Sequence, residues 1–379
     1  MLDRFRAAVM ADAQAQAHLA EPREPAIFEA RALAWAAARG IALTTADLIE
    51  AGRPDPVGMH RFLQAPVTRH DWPPRGWLPI GFAAAPEPAI HWFNFAGISP
   101  NTPFFEDAVR EAAGRPFNRL LRTATPLASC LGRTDLRPPS GFIFHMSRCG
   151  STLVSQMLGA APGHVSISEA PPLDAMIRHR FPDPEMHAGA LRALVHAYGR
   201  GAGHLFVKLD SWHTRALPLL RRAFPETPWI FLYRDPVEVL VSQLRLRGVQ
   251  TVPDIVPLEW FGLAREDAHL PERAFIARIL ERTCSAVIEH GTDKGLLINY
   301  AQLPEALFDQ ILPHFGIAPD AAARDAMAAM ANRHSKAPAA RFHADGEAKQ
   351  READAELRAI ADQYLAPAFV ALEARRIAT

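Results

Sequence analysis

The stretch of this chain best suited to chemistry is Phe144-His-Met-Ser-Arg-Cys-Gly-Ser-Thr-Leu153, where an apolar run turns through Gly150 into a helical pattern. Such a strand-to-helix turn aims the free backbone N–H groups of the first helical turn, here Cys149 to Thr152, at whatever stands in front of them. Those donors and the helix dipole together favour an anion. Ser151 and Thr152 add hydroxyl donors, and Arg148 adds a cation at the mouth. A tight turn through a lone glycine is better explained by packing; a glycine, two hydroxyls and an arginine together favour a phosphate.

Familiar chemistries can be tested against this loop. A nucleotide-hydrolysing loop needs Gly-x4-Gly-Lys-Ser/Thr, whose lysine reaches the terminal phosphates and whose hydroxyl holds magnesium. No lysine stands beside Gly150, and Arg148 precedes it, which disfavours metal-assisted phosphoryl transfer. A cysteine phosphatase would carry an arginine six positions after its cysteine, and that position is Ser155. Cys149 sits at a helix N-terminus, where thiols can be activated, but the sequence identifies no partner base, so its expected contribution is its backbone N–H.

Three further segments carry candidate groups. Tyr233-Arg-Asp-Pro-Val-Glu-Val-Leu-Val-Ser242 places Arg234 at the end of an apolar strand, on the same edge as Arg148, with Pro236 in the first helical turn and Ser242 about two turns in. Alone, Arg-Asp-Pro reads as a helix-capping salt bridge. Glu169 follows the strand-like Val165-Ser-Ile-Ser, at the edge where open α/β sheets bind ligands. Its carboxylate can act as a general base if its surroundings tune it toward neutrality; otherwise it caps a turn or pairs with Arg148. Lys208 directly ends the apolar Leu205-Phe-Val207, which makes simple surface solvation the weaker reading. His145 and His213 are alternative bases, His145 with a structural role as its commoner alternative.

Ser147-Arg-Cys-Gly-Ser-Thr-Leu153 resembles the Pro-Arg-Ser-Gly-Thr-Thr-Leu loop of sulfotransferases, with Ser147 in place of the proline and Cys149 in place of the serine. The resemblance spans about Gly141 to Gly316. It implies an α/β fold, a parallel sheet with helices on both faces as in P-loop proteins, and the co-substrate 3′-phosphoadenosine 5′-phosphosulfate, PAPS. It assigns the 5′-phosphosulfate to Arg148, Cys149, Gly150, Ser151 and Thr152, and the 3′-phosphate to Arg234 and Ser242. Glu169 resembles the catalytic glutamate of the protein-tyrosine-sulfating branch. Lys208 falls where family lysines face the sulfuryl group, so Glu169, Lys208 and Arg148 are the expected catalytic set. Leu296-Leu-Ile-Asn-Tyr-Ala-Gln-Leu303 is similar to the family's last strand, with Ala301 and Gln302 replacing an acidic pair. Ser335 and Lys336, in a basic segment, are further candidates for the nucleotide. No metal is expected.

These residues need a scaffold, and the periodicity supplies one. From Gly141 onward, short apolar runs at Gly141–His145, His164–Ile167, Leu205–Val207, Trp229–Tyr233 and Leu296–Asn299 alternate with helical stretches at Thr152–Ala160, Met186–Tyr198 and Ala274–Ile288. That alternation predicts a covered parallel sheet. Residues 1–53 read as a small helical region: Leu2, Phe5, Val9 and Leu19 form one stripe, Phe28, Ala32, Trp35 and Ala36 a second that Gly40 stops, and Thr44 to Asp47 a capping box. Their layout weakly resembles the helical domain of the nitrogen-fixation-associated leader-peptide family. Residues 54–139 read as irregular and rich in proline and aromatics, with a helix after Phe104-Phe105. Trp72, Trp77 and Trp92 there point to an aromatic surface or an acceptor-side cap, with ordinary core packing as the simpler reading. Residues 140–379 are the expected α/β domain.

The 379 residues carry 41 Lys+Arg against 41 Asp+Glu, which excludes a polyanion binder that works by bulk attraction and disfavours nucleic acid as a partner. Between Lys208 and Arg247, seven basic residues face four acidic ones, a local surplus that suits a small anion. Apolar runs are too short for a membrane span. Cys130, Cys149 and Cys284 are too few and scattered for a disulfide framework, and no signal-peptide pattern opens the chain, so the expected location is the cytoplasm. The expected activity is transfer of a sulfuryl group from PAPS to the hydroxyl of a small molecule, saccharide, lipid or peptide. The alternatives are a nucleotide-dependent kinase or NTPase, and a catalytically silent nucleotide- or peptide-binding protein.

Overall fold

The computed structural model describes residues 1–53, 65–133, 135–291, 294–331, 333–334, 337–341 and 346–378. Two compact units account for the chain: residues 1–137 with 170–201, and residues 138–169 with 202–379.

The first unit begins with α1 (Leu2–Ala11), α2 (Ala13–Ala20), α3 (Pro25–Ala37) and α4 (Thr45–Ala51). Each boundary has a local cause. Asp12 ends α1 in an extended conformation and caps α2, its carboxylate accepting from the N–H groups of Gln14 and Ala15 at 2.9 and 3.0 Å. Gly40 follows α3 at φ +65°, and the Thr44–Asp47 capping box opens α4. The apolar stripes bury Phe5, Val9, Leu19, Phe28, Ala32 and Ala36 almost completely.

Chain expected to be irregular folds instead into a four-stranded sheet. Its strands are β1 (Val67–Thr68), β2 (Trp77–Ala83), β3 (Ala89–Asn94) and β4 (Thr123–Pro126), in the order β1-β4-β3-β2. β2 pairs antiparallel with β3, and β3 with β4, while β1 runs parallel to β4. Pro79 is tolerated because β2 is an edge strand, and the pairing register shifts between Pro79 and Gly81. These breaks hide the period-two pattern. Helices α5 (Phe105–Gly114) and α6 (Pro116–Leu120) lie between β3 and β4 in the chain. The tryptophans read as an aromatic surface are packed within this unit: Trp77 and Trp92 are buried, with their indole N–H groups donating to Gln16 and Thr125. Trp72 packs at a tilt against Trp92, with ring centroids 5.6 Å apart.

The second unit is built on a five-stranded, all-parallel sheet: β5 (Gly141–His145), β6 (His164–Ser168), β7 (His204–Lys208), β8 (Trp229–Tyr233) and β9 (Gly295–Asn299), ordered β6-β7-β5-β8-β9. Every residue of β5 and of β8 is buried, so both faces of the centre of the sheet are covered. The expected α/β class is the one observed. Helix α7 (Ser151–Gly159) connects β5 to β6. Between β6 and β7 the chain returns to the first unit to form α8 (Pro171–Arg178) and α9 (Pro184–Tyr198), which pack on β2. Then follow α10 (Leu217–Ala223), α11 (Pro236–Arg245) and α12 (Glu272–His290), whose apolar stripe buries Phe275, Ile276, Ile279, Leu280 and Cys284. The C-terminal ends of β5, β6, β7 and β8 carry His145, Ser168 followed by Glu169, Lys208, and Tyr233 followed by Arg234. That edge is the candidate site.

Candidate functional site

The loop from β5 to α7 is held in an unusual backbone form. Ser147, Arg148 and Gly150 have φ of +80°, +54° and +84°, while Cys149 lies outside the left-handed region. Left-handed backbone costs an L-residue about 1–2 kcal/mol, and alternation of this kind is how backbone N–H groups are gathered into an anion-binding concavity. The surroundings hold the loop in place. The N–H of Ser147 donates to Nδ1 of His145 at 3.1 Å, and its hydroxyl accepts from Nε2 of Gln243 at 3.1 Å. The N–H of Met146 continues the sheet pairing to the carbonyl of Leu232 at 3.0 Å, and the same carbonyl accepts the Cys149 thiol at 3.0 Å. Gly150 is the N-cap of α7, and a Cβ on it would come within 2.7 Å of Leu303 and 2.9 Å of Tyr300.

Burial raises the Cys149 thiol to about 11, against smaller opposing effects that include Lys208 and Arg234. A buried neutral thiol bonded to a carbonyl is a poor nucleophile. Ser151 and Thr152 are buried in the first turn of α7. The Arg148 guanidinium donates to the carbonyl of Leu246, beyond the end of α11.

Adjacent strand ends bring three titratable groups together. Ser168 and Lys208 are register partners in β6 and β7, and the N–H of Glu169 donates to the carbonyl of Lys208 at 2.8 Å. Glu169 then turns with φ +51°, and its Oε1 forms an ion pair with Nζ of Lys208, whose side chain is fully enclosed. The same Oε1 lies 3.4 Å from Nε2 of His145. Nε2 of His145 donates to the carbonyl of Leu209 at 2.8 Å, which leaves Nδ1 as the acceptor for Ser147 and fixes the tautomer. Burial first, and the Lys208 cation second, bring the His145 imidazole down to about 4, so it is neutral at physiological pH.

The Glu169 carboxyl shows how these effects compete. Burial works to raise its pKa, but Lys208 and His145 together outweigh burial and hold it well below the usual carboxylate range. The condition set on Glu169 as a base and its alternative as a partner of Arg148 both meet a different arrangement here. Glu169 is not tuned toward neutrality in this arrangement, because a buried ammonium stabilises its charge. Its ion-pair partner is Lys208 rather than Arg148, which is drawn to the Leu246 carbonyl.

Arg234 leaves β8 with its N–H on the sulfur of Met146 at 3.3 Å. Its guanidinium, 4% exposed with the rest of the residue, binds Oε2 of Glu238 through Nε at 2.7 Å and Nη2 at 2.6 Å, and lies 4.0 Å from the centre of the Tyr300 ring. Asp235 caps α11, accepting from Val237 and Glu238, so the capping arrangement read from Arg-Asp-Pro is also present. Ser242 is half-buried in α11, next to the Gln243 that grips Ser147. His213, the other candidate base, is buried in the turn after β7, where Nδ1 accepts the Asp210 N–H at 3.3 Å. Ser335 and Lys336 lie outside the described residues.

The site therefore joins His145, the loop, Glu169 and Lys208 directly, and ties in Arg234 through Met146 and through Tyr300, which lies beside both Arg234 and Gly150. Glu238, Gln243 and Tyr300 were missed as site residues. The four-residue helical spacing from Arg234 to Glu238 was the one signal available for them.

No family model and no curated protein matches the chain. Among solved structures, it is similar to a sulfotransferase from Mycobacterium tuberculosis H37Rv, at 16% identity over 51% of this chain and 71% of that one, with a TM-score of 0.35. A sulfotransferase from Alicyclobacillus acidocaldarius matches 63% of this chain and 96% of its own at 16% identity and a TM-score of 0.39. The sulfotransferase domain of the Synechococcus PCC 7002 olefin synthase matches 62% and 94% at 16% identity and 0.36. Likeness at this level does not extend to activity.

Proposed function

We propose that the chain is a sulfotransferase that moves a sulfuryl group from PAPS to an acceptor hydroxyl. The observation that carries this reading is the half-buried Glu169 paired with the enclosed Lys208 and joined through His145 to a loop whose backbone is bent for an anion. A base and a cation at one point of a phosphate-type loop suit attack by a hydroxyl on a highly charged donor.

In this reading the loop amides from Cys149 to Thr152, the hydroxyls of Ser151 and Thr152, and Arg148 hold the 5′-phosphosulfate, and Arg234 with Ser242 holds the 3′-phosphate. The acceptor oxygen bonds to sulfur as the bond from sulfur to the bridging phosphate oxygen breaks, and Glu169 takes the hydroxyl proton. Lys208 stabilises the charge that gathers on the transferring group and the departing phosphate. The ion pair explains how a strongly ionised carboxylate serves as the base: a bound sulfuryl group draws part of the Lys208 charge to itself, which raises the proton affinity of Glu169 only when donor is present. The charges come from this chain's own residues, and the proposal calls on no metal. Three cysteines that are buried and free accord with a cytoplasmic location.

The test uses the full chain with sulfur-labelled PAPS and a fractionated extract as the source of acceptor. Glu169→Gln is expected to keep affinity for 3′,5′-adenosine bisphosphate while transfer drops by about 100-fold or more. Undiminished transfer would remove Glu169 from the reaction.

A further inference from the structure

The first unit contains a cleft of about 470 Å³ that the transfer reaction does not use. Helix α2 and the turn after it supply Ala17, His18, Glu21 and Arg23; the chain after β3 supplies Ala96 and Gly97; Arg115 lines it from the junction of α5 and α6.

Arg115 is the anomaly. The residue is 6% exposed, and its buried Nη2 has no hydrogen-bond partner. Oε1 of Glu111, one turn back on α5, is 3.6 Å from that Nη2 and 4.0 Å from Nη2 of Arg23, so a single carboxylate faces two guanidinium groups at more than hydrogen-bond distance from each. Glu21, the acid that lines the cleft, is held by Arg31 at 2.7 Å. A buried donor without an acceptor is costly, and a planar pair of oxygens is the geometry that satisfies a guanidinium best. Apart from His18, the remaining wall is small and apolar. Gly97, at φ +67°, is exposed, and a Cβ there would meet nothing within 4 Å, so space beside Ala17 and Ala96 stays open for an organic body.

We propose that this cleft binds an organic carboxylate, with its two oxygens on Arg115 and Arg23 and its body against Ala17, Ala96 and Gly97. The site is independent of the transfer chemistry and stands or falls separately from it.

The test is a calorimetric or NMR titration of the full chain with benzoate in chloride buffer, with benzyl alcohol and inorganic phosphate as companion probes. Benzoate should saturate a single site, benzyl alcohol should not bind, and phosphate should compete weakly. Arg115→Met should weaken benzoate by about tenfold or more. Because removal of a buried arginine can disturb the fold, Ala17→Leu serves as the second variant: Ala17 is exposed on α2, and the added side chain fills the cleft without entering the core. The same loss is expected. Absence of saturable benzoate binding, equal affinity in Ala17→Leu, or phosphate binding that excludes benzoate would each overturn the proposal.

Discussion

His145 links the parts of the site, since its Nδ1 receives the loop N–H while its Nε2 faces the Leu209 carbonyl and Glu169. The same burial that keeps it neutral makes it a source of acid sensitivity. With its folded pKa lowered from 6.5 to about 4, His145 contributes little pH dependence well above pH 6.5, where folded and unfolded chains are both largely neutral. As pH falls from 6.5 toward 4, the unfolded chain takes a proton that the folded chain refuses, so stability declines. Denaturant unfolding at pH 7 and pH 4.5 should show His145→Asn losing about 2–3 kcal/mol less over that interval than the parent chain. Glu169 acts lower on the scale: its depressed pKa contributes stability that is present above its ordinary value near 4.5 and is lost below it, so the two effects separate. Cys149, raised to about 11, should resist alkylation in the native chain, and Cys149→Ala should leave bisphosphate affinity within about a factor of three. Arg234→Ala should weaken PAPS by about tenfold or more while barely changing affinity for adenosine 5′-phosphosulfate, which lacks the 3′-phosphate. Equal losses, measured by competition binding, would take the 3′-phosphate away from Arg234.

At the scale of elements, what could be read in advance was whatever is local in the chain. β5 and β8 coincide with their apolar runs, and the Thr44–Asp47 capping box lies within four residues. The Glu169–Lys208 pair was not legible as a pair, since 39 residues separate the two and only the register of β6 on β7 joins them. The sheet of the first unit escaped because Pro79, the register shift by Gly81 and a four-residue β4 leave no run long enough to show alternation. Its tryptophans were informative about packing, not about a surface. The β5-to-α7 loop is where element geometry becomes testable. Gly150→Ala adds a Cβ to a left-handed residue that already faces Leu303 and Tyr300, so it should cost more than the 1–2 kcal/mol of the backbone alone, or roughly 2–4 kcal/mol. Thermal unfolding should show the loss, and bisphosphate affinity should fall with it, because the strain shifts the N–H groups of the turn.

For the whole molecule, balanced charge means that anion binding has to be local, and the strand ends of the second unit concentrate the means for it: an arginine after β8, a lysine ending β7, and a loop of positive φ after β5. Among the described residues, no helix is long and apolar enough to cross a membrane. The two proposals fall in separate compact units, the transfer chemistry in one and the carboxylate site in the other. The central claim is that the second unit binds a nucleotide by its 3′- and 5′-phosphates without help from magnesium. The most direct measurement is a calorimetric titration of the full chain with 3′,5′-adenosine bisphosphate and with ATP, each with magnesium and with EDTA. The account predicts saturable binding of the bisphosphate, equal in both buffers and at least tenfold tighter than ATP, roughly the worth of one charge-assisted phosphate contact. Absence of heat with the bisphosphate, or tighter binding of ATP that EDTA abolishes, would contradict it.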